Sequence, residues 1–309
     1  MRRTTLVCAA LLSLLAPAVP AQAQDLCTWT SSELPLPTGV TSGQALFAAP
    51  NGNLAGQASS GALLLWHNGA SVAVNAPVTT QISLRGLNGS GELVGWDGRT
   101  RTAFVYRDGI FQTLPTPSPA ENGTSADGIN EAGDVVGTAY SSSWPPYRTV
   151  VWPRSQPGTY RFVAEDVALG IDDAGRAVTE KGYVVNPDGT RGDLESSPNL
   201  NIRKFQAGQA LGKQFGDYHA VYRWDVATGA VLQRYDVTSP TPIGVNSAGQ
   251  LATWTEKASG NAVKVWRGTD YLGELGVGER VRAVQENNDL AGQRKSAAGT
   301  WVPVTWTCA

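Results

Sequence analysis

The sequence is poor in the side chains that most protein chemistry uses. Among 309 residues there are two histidines, three cysteines and one methionine, and only 16% of residues are charged. The formal net charge of −2 carries no basic excess, which argues against a nucleic-acid-binding protein. Beyond residue 23 no apolar run approaches the ~20 residues that a spanning helix needs, so no membrane insertion is expected. No stretch of that remainder holds a 3.6-residue apolar period, so helix should be nearly absent. G-x-S-x-G, H-E-x-x-H and phosphate-binding glycine loops are all missing. The sequence therefore offers no catalytic residue, no metal site and no cofactor, and leans away from an enzyme.

What is abundant points elsewhere. The chain holds 35 glycines, 18 prolines and 10 tryptophans, a composition suited to many short strands joined by tight turns. Residues 1–23 read as a signal peptide. A basic start, MRRTT, is followed by the apolar LVCAALLSLLAPAV and the small-x-small site Ala21-Gln22-Ala23. The expectation is a secreted or periplasmic protein. Cys27 and Cys308 remain after cleavage, and an even pair in an oxidising compartment reads as a disulfide.

A repeat dominates the rest. GINEAGDVVG (128–137) recurs as GLNGSGELVG (86–95), GIDDAGRAVT (170–179) and GVNSAGQLAT (244–253), and more weakly as FAAPNGNLAG (47–56), KFQAGQALG (204–212) and AVQENNDLAG (283–292). The closing glycine falls at 52, 91, 133, 175, 208 and 249, and Asn288 stands in for the seventh. Each copy continues into an apolar strand such as AFVYRDG (103–109) and a further short strand such as FQTLP (111–115). Every unit thus reads as four strands, A to D, with an Asn-x-x-Gly turn between A and B. Asn68-Gly69, Asp108-Gly109 and Asp188-Gly189 suit two-residue C–D turns. Units of about 40 residues with four strands each are the sequence form of propeller blades.

The fold expected is therefore an all-β, seven-bladed propeller forming a single domain over 24–309. Its units lie near 38–75, 83–117, 125–165, 167–195, 201–236, 241–275 and 280–309 plus 27–37. The last unit has A, B and C but no D, while residues 28–37 match a D-strand stretch. The N-terminal segment should complete the seventh blade, and a Cys27–Cys308 disulfide should take the place of its C–D turn. Strand-C aromatics, Trp66, Tyr106, Trp152, Trp224, Trp266 and Trp306, read as packing residues between blades.

GINEAGDVVG followed by AFVYRDG-like strands resembles the HAF-type extracellular repeat of bacterial exported proteins. The resemblance covers essentially the whole processed chain and is best at 83–115, 125–163 and 241–275. It implies a secreted propeller-like array and carries no shared reaction or catalytic residue. The fourth unit departs most, with a shortened B–C segment around 179–182.

Candidate sites follow from the blade scheme. His67 falls in a C–D turn and His219 at the start of a strand C, on opposite faces, so they cannot share a metal. Asp172-Asp173, Asn186-Pro187-Asp188 and Gly192-Asp193 place oxygens on turns without a calcium-loop pattern, and a turn role is expected for them. Glu180, Asp217 and Glu256 sit in or beside B–C loops and are the carboxylates that an acid/base reaction would draw on. The B–C loops also carry Trp96, Tyr140, Trp144, Tyr147, Phe215, Tyr218 and Trp254, interleaved with Arg99, Arg101, Arg148, Lys213, Lys257, Arg294 and Lys295. Exposed aromatics with arginine are enriched at binding surfaces. The binding set expected is Trp96, Tyr140, Trp144, Tyr147, Trp254, Arg99 and Arg148. The function expected is a monomeric recognition scaffold for an extracellular protein or a carbohydrate. The alternatives are a propeller-type lyase or hydrolase acting at the same face, and a structural repeat protein with no small ligand.

Overall fold

The computed structural model describes residues 26–74, 76, 81–117, 121–256 and 261–309; the expected signal peptide lies outside them. The chain forms seven four-stranded antiparallel sheets arranged radially, and no helix occurs among the described residues. In six of the seven sheets the strands lie in chain order from the axis outward. The inner strands are Gly43–Ala48, Ile82–Leu87, Glu121–Ile129, Ala168–Ile171, Leu200–Gln206, Thr241–Val245 and Arg280–Val284. Blade 7 is completed by the N-terminal strand Trp29–Glu33, which pairs with Trp301–Cys308 in the register Trp29↔Cys308 to Glu33↔Val304. Cys27 and Cys308 are bonded, with their Cα atoms 5.2 Å apart.

Local turn chemistry explains why the motif folds as it does. In GINEAGDVVG the Gly133 N–H donates to the Asn130 carbonyl, and the Asn130 N–H donates to the Asp134 carbonyl. That is a type I turn followed by a residue at positive φ, here Gly133 at +84°. Asn288 occupies the same position in blade 7 at φ +70°, which asparagine tolerates better than most residues. Blade 5 departs: Ala207 and Gly208, both at positive φ, make a two-residue turn. The C–D turns at Asn68-Gly69 and Asp108-Gly109 have positive φ at both residues, as a tight hairpin requires. Asp188-Gly189 does not form such a turn. Pro187 fixes a negative φ one residue earlier, and the chain instead makes a wider loop in which Asp188 accepts the Thr190 N–H (2.9 Å) and hydroxyl (2.7 Å).

Each apolar cluster lies between consecutive blades. Val135 and Val150 join the cluster shared with blade 2, whereas their neighbours Val136 and Val151 join the one shared with blade 4. Successive residues of a strand point to opposite faces, so a blade buried on both sides needs continuous apolar runs. The strand-C tryptophans tie the junctions together. Trp66 Nε1 donates to the Pro35 carbonyl (2.7 Å), Trp152 Nε1 to Pro115 (2.9 Å) and Trp224 Nε1 to Glu195 (3.2 Å), each acceptor belonging to the preceding blade. Trp66, Trp152, Trp224, Trp266 and Trp306 are all buried.

Every inner strand carries one extra residue at the same place: Leu46, Arg85, Asp127, Leu169, Arg203, Ile243 and Arg282. Such a bulge bends the strand and re-aims a side chain. Opposite it on strand B lies a glycine in blades 1, 2, 3, 5 and 7, namely Gly56, Gly95, Gly137, Gly212 and Gly292. A Cβ on Gly137 would stand 1.8 Å from the Ser125 carbonyl oxygen, and one on Gly56 1.9 Å from that of Gln44. The glycine is there because the bulge drives a carbonyl onto it. Blade 6 has Thr253 instead, whose hydroxyl donates to the corresponding carbonyl, Thr241 O, at 3.0 Å.

Two outcomes follow. Gly137→Ala should cost about 3 kcal/mol in urea unfolding, whereas Gly192→Ala, with nothing nearer than 3.9 Å, should cost less than about 0.5 kcal/mol. Reducing Cys27–Cys308 releases a closure across 281 positions, worth about 5 kcal/mol in the chain-entropy account, and should lower Tm by about 10 °C. An unchanged melt after verified reduction would count against closure by the disulfide.

Candidate functional site

The inner strands enclose an axial cavity of about 720 Å³. It reaches from the level of the bulges to the A–B turns at Pro50, Glu131, Asp173, Ala207 and Glu286. A strand presents an unpaired backbone edge to the axis and its side chains to the adjoining blades, so the bulges decide which side chains reach the channel. Charge is concentrated there: Arg85 from blade 2, Asp127 from blade 3, and Arg203 and Lys204 from blade 5 line it, with Arg282 of blade 7 close enough to act on Lys204. Arg203 is paired with Glu180 at 3.1 Å.

The position after each bulge is as informative. It is Gly86, Gly128, Gly170, Gly244 and Ala283 in five blades, where inner strands crowd together. A Cβ on Gly128 would meet the Gly170 Cα at 2.8 Å. Blades 1 and 5 instead carry Phe47 and Lys204, and the Lys204 amine lies 5.2 Å from the centre of the Phe47 ring, within cation–π range. Removal from bulk water, reinforced by Arg85 and Arg282, pulls the Lys204 amine from 10.5 down to about 8. Burial pushes the Asp127 carboxyl above its usual range, opposed by hydrogen bonds from the Ser125 (2.9 Å) and Thr138 (2.9 Å) hydroxyls and by Arg85.

A belt of hydrogen bonds surrounds the mouth of this channel. Asn88 Nδ2 donates to the Asn130 carbonyl (3.1 Å), Asn130 Nδ2 to Asp172 (3.0 Å) and Asn246 Nδ2 to Gln285 (2.9 Å), each in the next blade. Their Oδ1 atoms meanwhile accept the N–H groups of Glu92, Asp134 and Gln250 in their own turns. Asn53 Nδ2 reaches Gly89, and Gln209 Nε2 reaches the Asn246 carbonyl, in the same sense. Outside this ring the Gly89 N–H donates to Glu131, the Glu131 N–H to Asp173 and the Ser247 N–H to Glu286. The motif asparagine therefore both shapes its turn and joins blades. Asp172, which cannot donate, binds Arg176 at 2.6 Å instead.

The residues expected from sequence to form one binding face are distributed unevenly. Trp144 is 89% exposed and Tyr147 45% exposed, both on the B–C loop side of blade 3. Arg148 beside them lies over the Phe162 ring at 4.7 Å. Tyr140 meets Tyr147 edge-on at 6.0 Å, but its hydroxyl bonds Ser125 and its ring lines the axial cavity. Trp96 and Arg99 lie on blade 2, where Trp96 is half-buried with its Nε1 unpartnered and Arg99 is exposed. Trp254 is on blade 6, across the ring, and packs against the cluster between blades 6 and 7. Tyr140, Trp144, Tyr147 and Arg148 thus lie together on blade 3, Trp96 and Arg99 stand on the adjoining blade 2, and Trp254 stands apart. Phe215 and Tyr218 are exposed on blade 5, and Lys257 lies outside the described residues.

The candidate carboxylates are engaged separately. Glu180 binds Arg203, and Asp217 accepts the Tyr222 hydroxyl (2.8 Å) and Arg234 (2.9 Å), which hold its carboxyl below the usual range. Sequence reasoning passed over Arg85, Asp127, Lys204 and Arg282. The available signal was a charge inside an otherwise apolar strand, two or three residues before the motif's Asn or Gln.

No protein-family profile and no curated protein sequence matches this chain. The fold itself is widely shared. A chain in the crystal structure of the mitotic checkpoint complex superposes with a TM-score of 0.57 at 11% identity, over 98% of this chain and 99% of that one. The β-propeller domain of Myceliophteria thermophila Cps50 (Swd1) gives 0.57 at 11%, over 86% and 96%. U3-55K gives 0.57 at 12%, over 89% and 98%. This chain is a seven-bladed β-propeller, and likeness at such identities carries the fold alone.

Asn130→Ala removes a buried donor and acceptor from the belt and should cost about 2–4 kcal/mol in denaturant unfolding. Glu131→Ala, at an exposed position, should cost under about 1 kcal/mol.

Proposed function

We propose that this chain is an exported bacterial interaction scaffold, related to the HAF-type repeat, that holds an extracellular protein against the B–C loop side of blades 2 and 3. The observation that carries this reading is Trp144, an indole 89% exposed beside Tyr147. An indole left in water on a rigid sheet is favourable to cover, and interfaces are enriched in Trp, Tyr and Arg. Tyr147, Arg148 and Phe162 extend the same surface. The fold supports the reading in general terms, since one propeller of the same shape is part of a named protein complex. Export is argued from residues 1–23 and from the disulfide, which persists in oxidising compartments. Carbohydrate is the competing ligand, because sugars also stack on such rings. Catalysis by loop carboxylates gains no support from geometry, as Glu180 of blade 4 and Asp217 of blade 5 are each held by a different arginine.

Trp254 packs on the core, so the informative variant is Trp144→Ala/Tyr147→Ala. It should leave the melt within about 0.5 kcal/mol per site of wild type. A photo-crosslinker placed at Tyr147 in otherwise wild-type protein should trap a discrete extracellular protein, and the double variant should fail to compete for it. Binding on a glycan array that is lost in the double variant would replace the protein partner with a carbohydrate. Crosslinking competed equally by both forms would remove this surface from consideration.

A further inference from the structure

We propose that the axial channel is a binding site for a small multivalent oxyanion, of the polycarboxylate or phosphate-ester class. Two unpartnered cationic side chains line it from separated blades, Arg85 from blade 2 and Lys204 from blade 5, and Arg282 of blade 7 lies near enough to Lys204 to act on its charge. None of the three makes a hydrogen bond or ion pair with another described residue. Lys204 is further set apart by its position. Where five of the other six blades have glycine or alanine to let inner strands crowd, blade 5 places a four-carbon amine into the channel, steadied over Phe47 of blade 1. Cationic side chains with no anionic partner, in a cavity of about 720 Å³, leave charge that an anion would satisfy. That volume is within the range of small-molecule sites, roughly 300–1,000 Å³.

The carboxylates of the lining are bound by other groups, although they keep their charge. Asp127 faces Arg85 across the channel wall, but its carboxylate is taken by Ser125 and Thr138. Glu180 is bound to Arg203. At the mouth, Glu131, Asp173 and Glu286 accept backbone N–H groups of the adjoining turns, and Asp172 binds Arg176. At the level of the bulges the cations Arg85, Arg203 and Lys204 outnumber Asp127 and the Glu180 bound to Arg203, while the turn-side mouth is acidic, so an oxyanion would sit at the bulge level and accept charge-assisted hydrogen bonds from Lys204 and Arg85. Because the Lys204 amine loses its proton near pH 8 in the free protein, affinity should fall as pH rises through that value. The other charged groups facing this region are Asp127, with its carboxyl raised, Arg85 and Arg203, Arg282 nearby, and at the mouth Glu131, Asp172, Asp173, Arg176 and Glu286.

The test is calorimetric titration of the whole protein with citrate and with inorganic phosphate, at constant ionic strength held by chloride. Saturable binding at low millimolar concentration or tighter is expected for at least one, and which one binds assigns the class. Lys204→Met and Arg85→Gln should each weaken binding by about tenfold or more, while folding is checked by the melt. Asp127→Asn should tighten it several-fold, and the fall above pH 8 should vanish in Lys204→Met. Trp144→Ala/Tyr147→Ala should bind the anion unchanged, which separates this site from the protein-binding surface. Heats no larger than chloride dilution for both anions would overturn the proposal. So would equal affinity in wild type and folded Lys204→Met, which would leave the channel charges as guards of the exposed inner strand edges.

Discussion

Each blade buries its two faces only because another blade stands on either side, so the whole core depends on the ring being shut. Shutting it falls to a strand pairing rather than to a turn. Trp29–Glu33 lies along Trp301–Cys308, and the cystine sits at the end of that ladder, where the other blades have a covalent C–D connection. Without this pairing the apolar clusters on both sides of blade 7 lose their enclosure. The Trp66 indole, which bonds Pro35 just beyond the closing strand, loses its acceptor with it.

A second constraint works at the opposite edge of each sheet. Inner strands must converge on an axis without offering seven flat edges to solvent, and the repeated bulge meets that need. It bends the strand, forces a glycine or a hydroxyl opposite, and in blades 1 to 5 brings the bulge residue to the channel wall, whereas Ile243 of blade 6 packs into the junction with blade 7. The scaffold and the channel lining thus come from the same local irregularity. What differs between blades is only which residue happens to occupy the bulge.

The architecture was legible in the sequence because turn chemistry repeats. Asn130, Gly133 and their counterparts are required by backbone conformation, so they recur visibly even where the strands between them drift. The two cysteines and the orphan D strand were equally readable, since each lacked a partner in any other scheme. Exposure was not readable in the same way. Trp96, Trp144 and Trp254 all sit in or beside B–C segments, yet one is half-buried, one stands in solvent and one packs into a junction; that difference depends on neighbours far away in the chain. The channel was harder still. Arg85, Lys204 and Arg282 are widely spaced in sequence and meet only once the ring closes, and a bulge leaves no mark in a single strand.

The direction of the asparagine belt has a consequence for how such a molecule can be made. The donor amide belongs to the earlier blade and the acceptor carbonyl to the later one, from Asn53 through Asn88 and Asn130, and again from Gln209 through Asn246. Blades 2, 3 and 6 are therefore adaptors with one donating and one accepting end, and copies of that kind are chemically matched to one another. Units can be duplicated or lost in tandem without disturbing that match, and the angle between neighbouring sheets, rather than any particular contact, decides the copy number at which a growing array meets its own beginning.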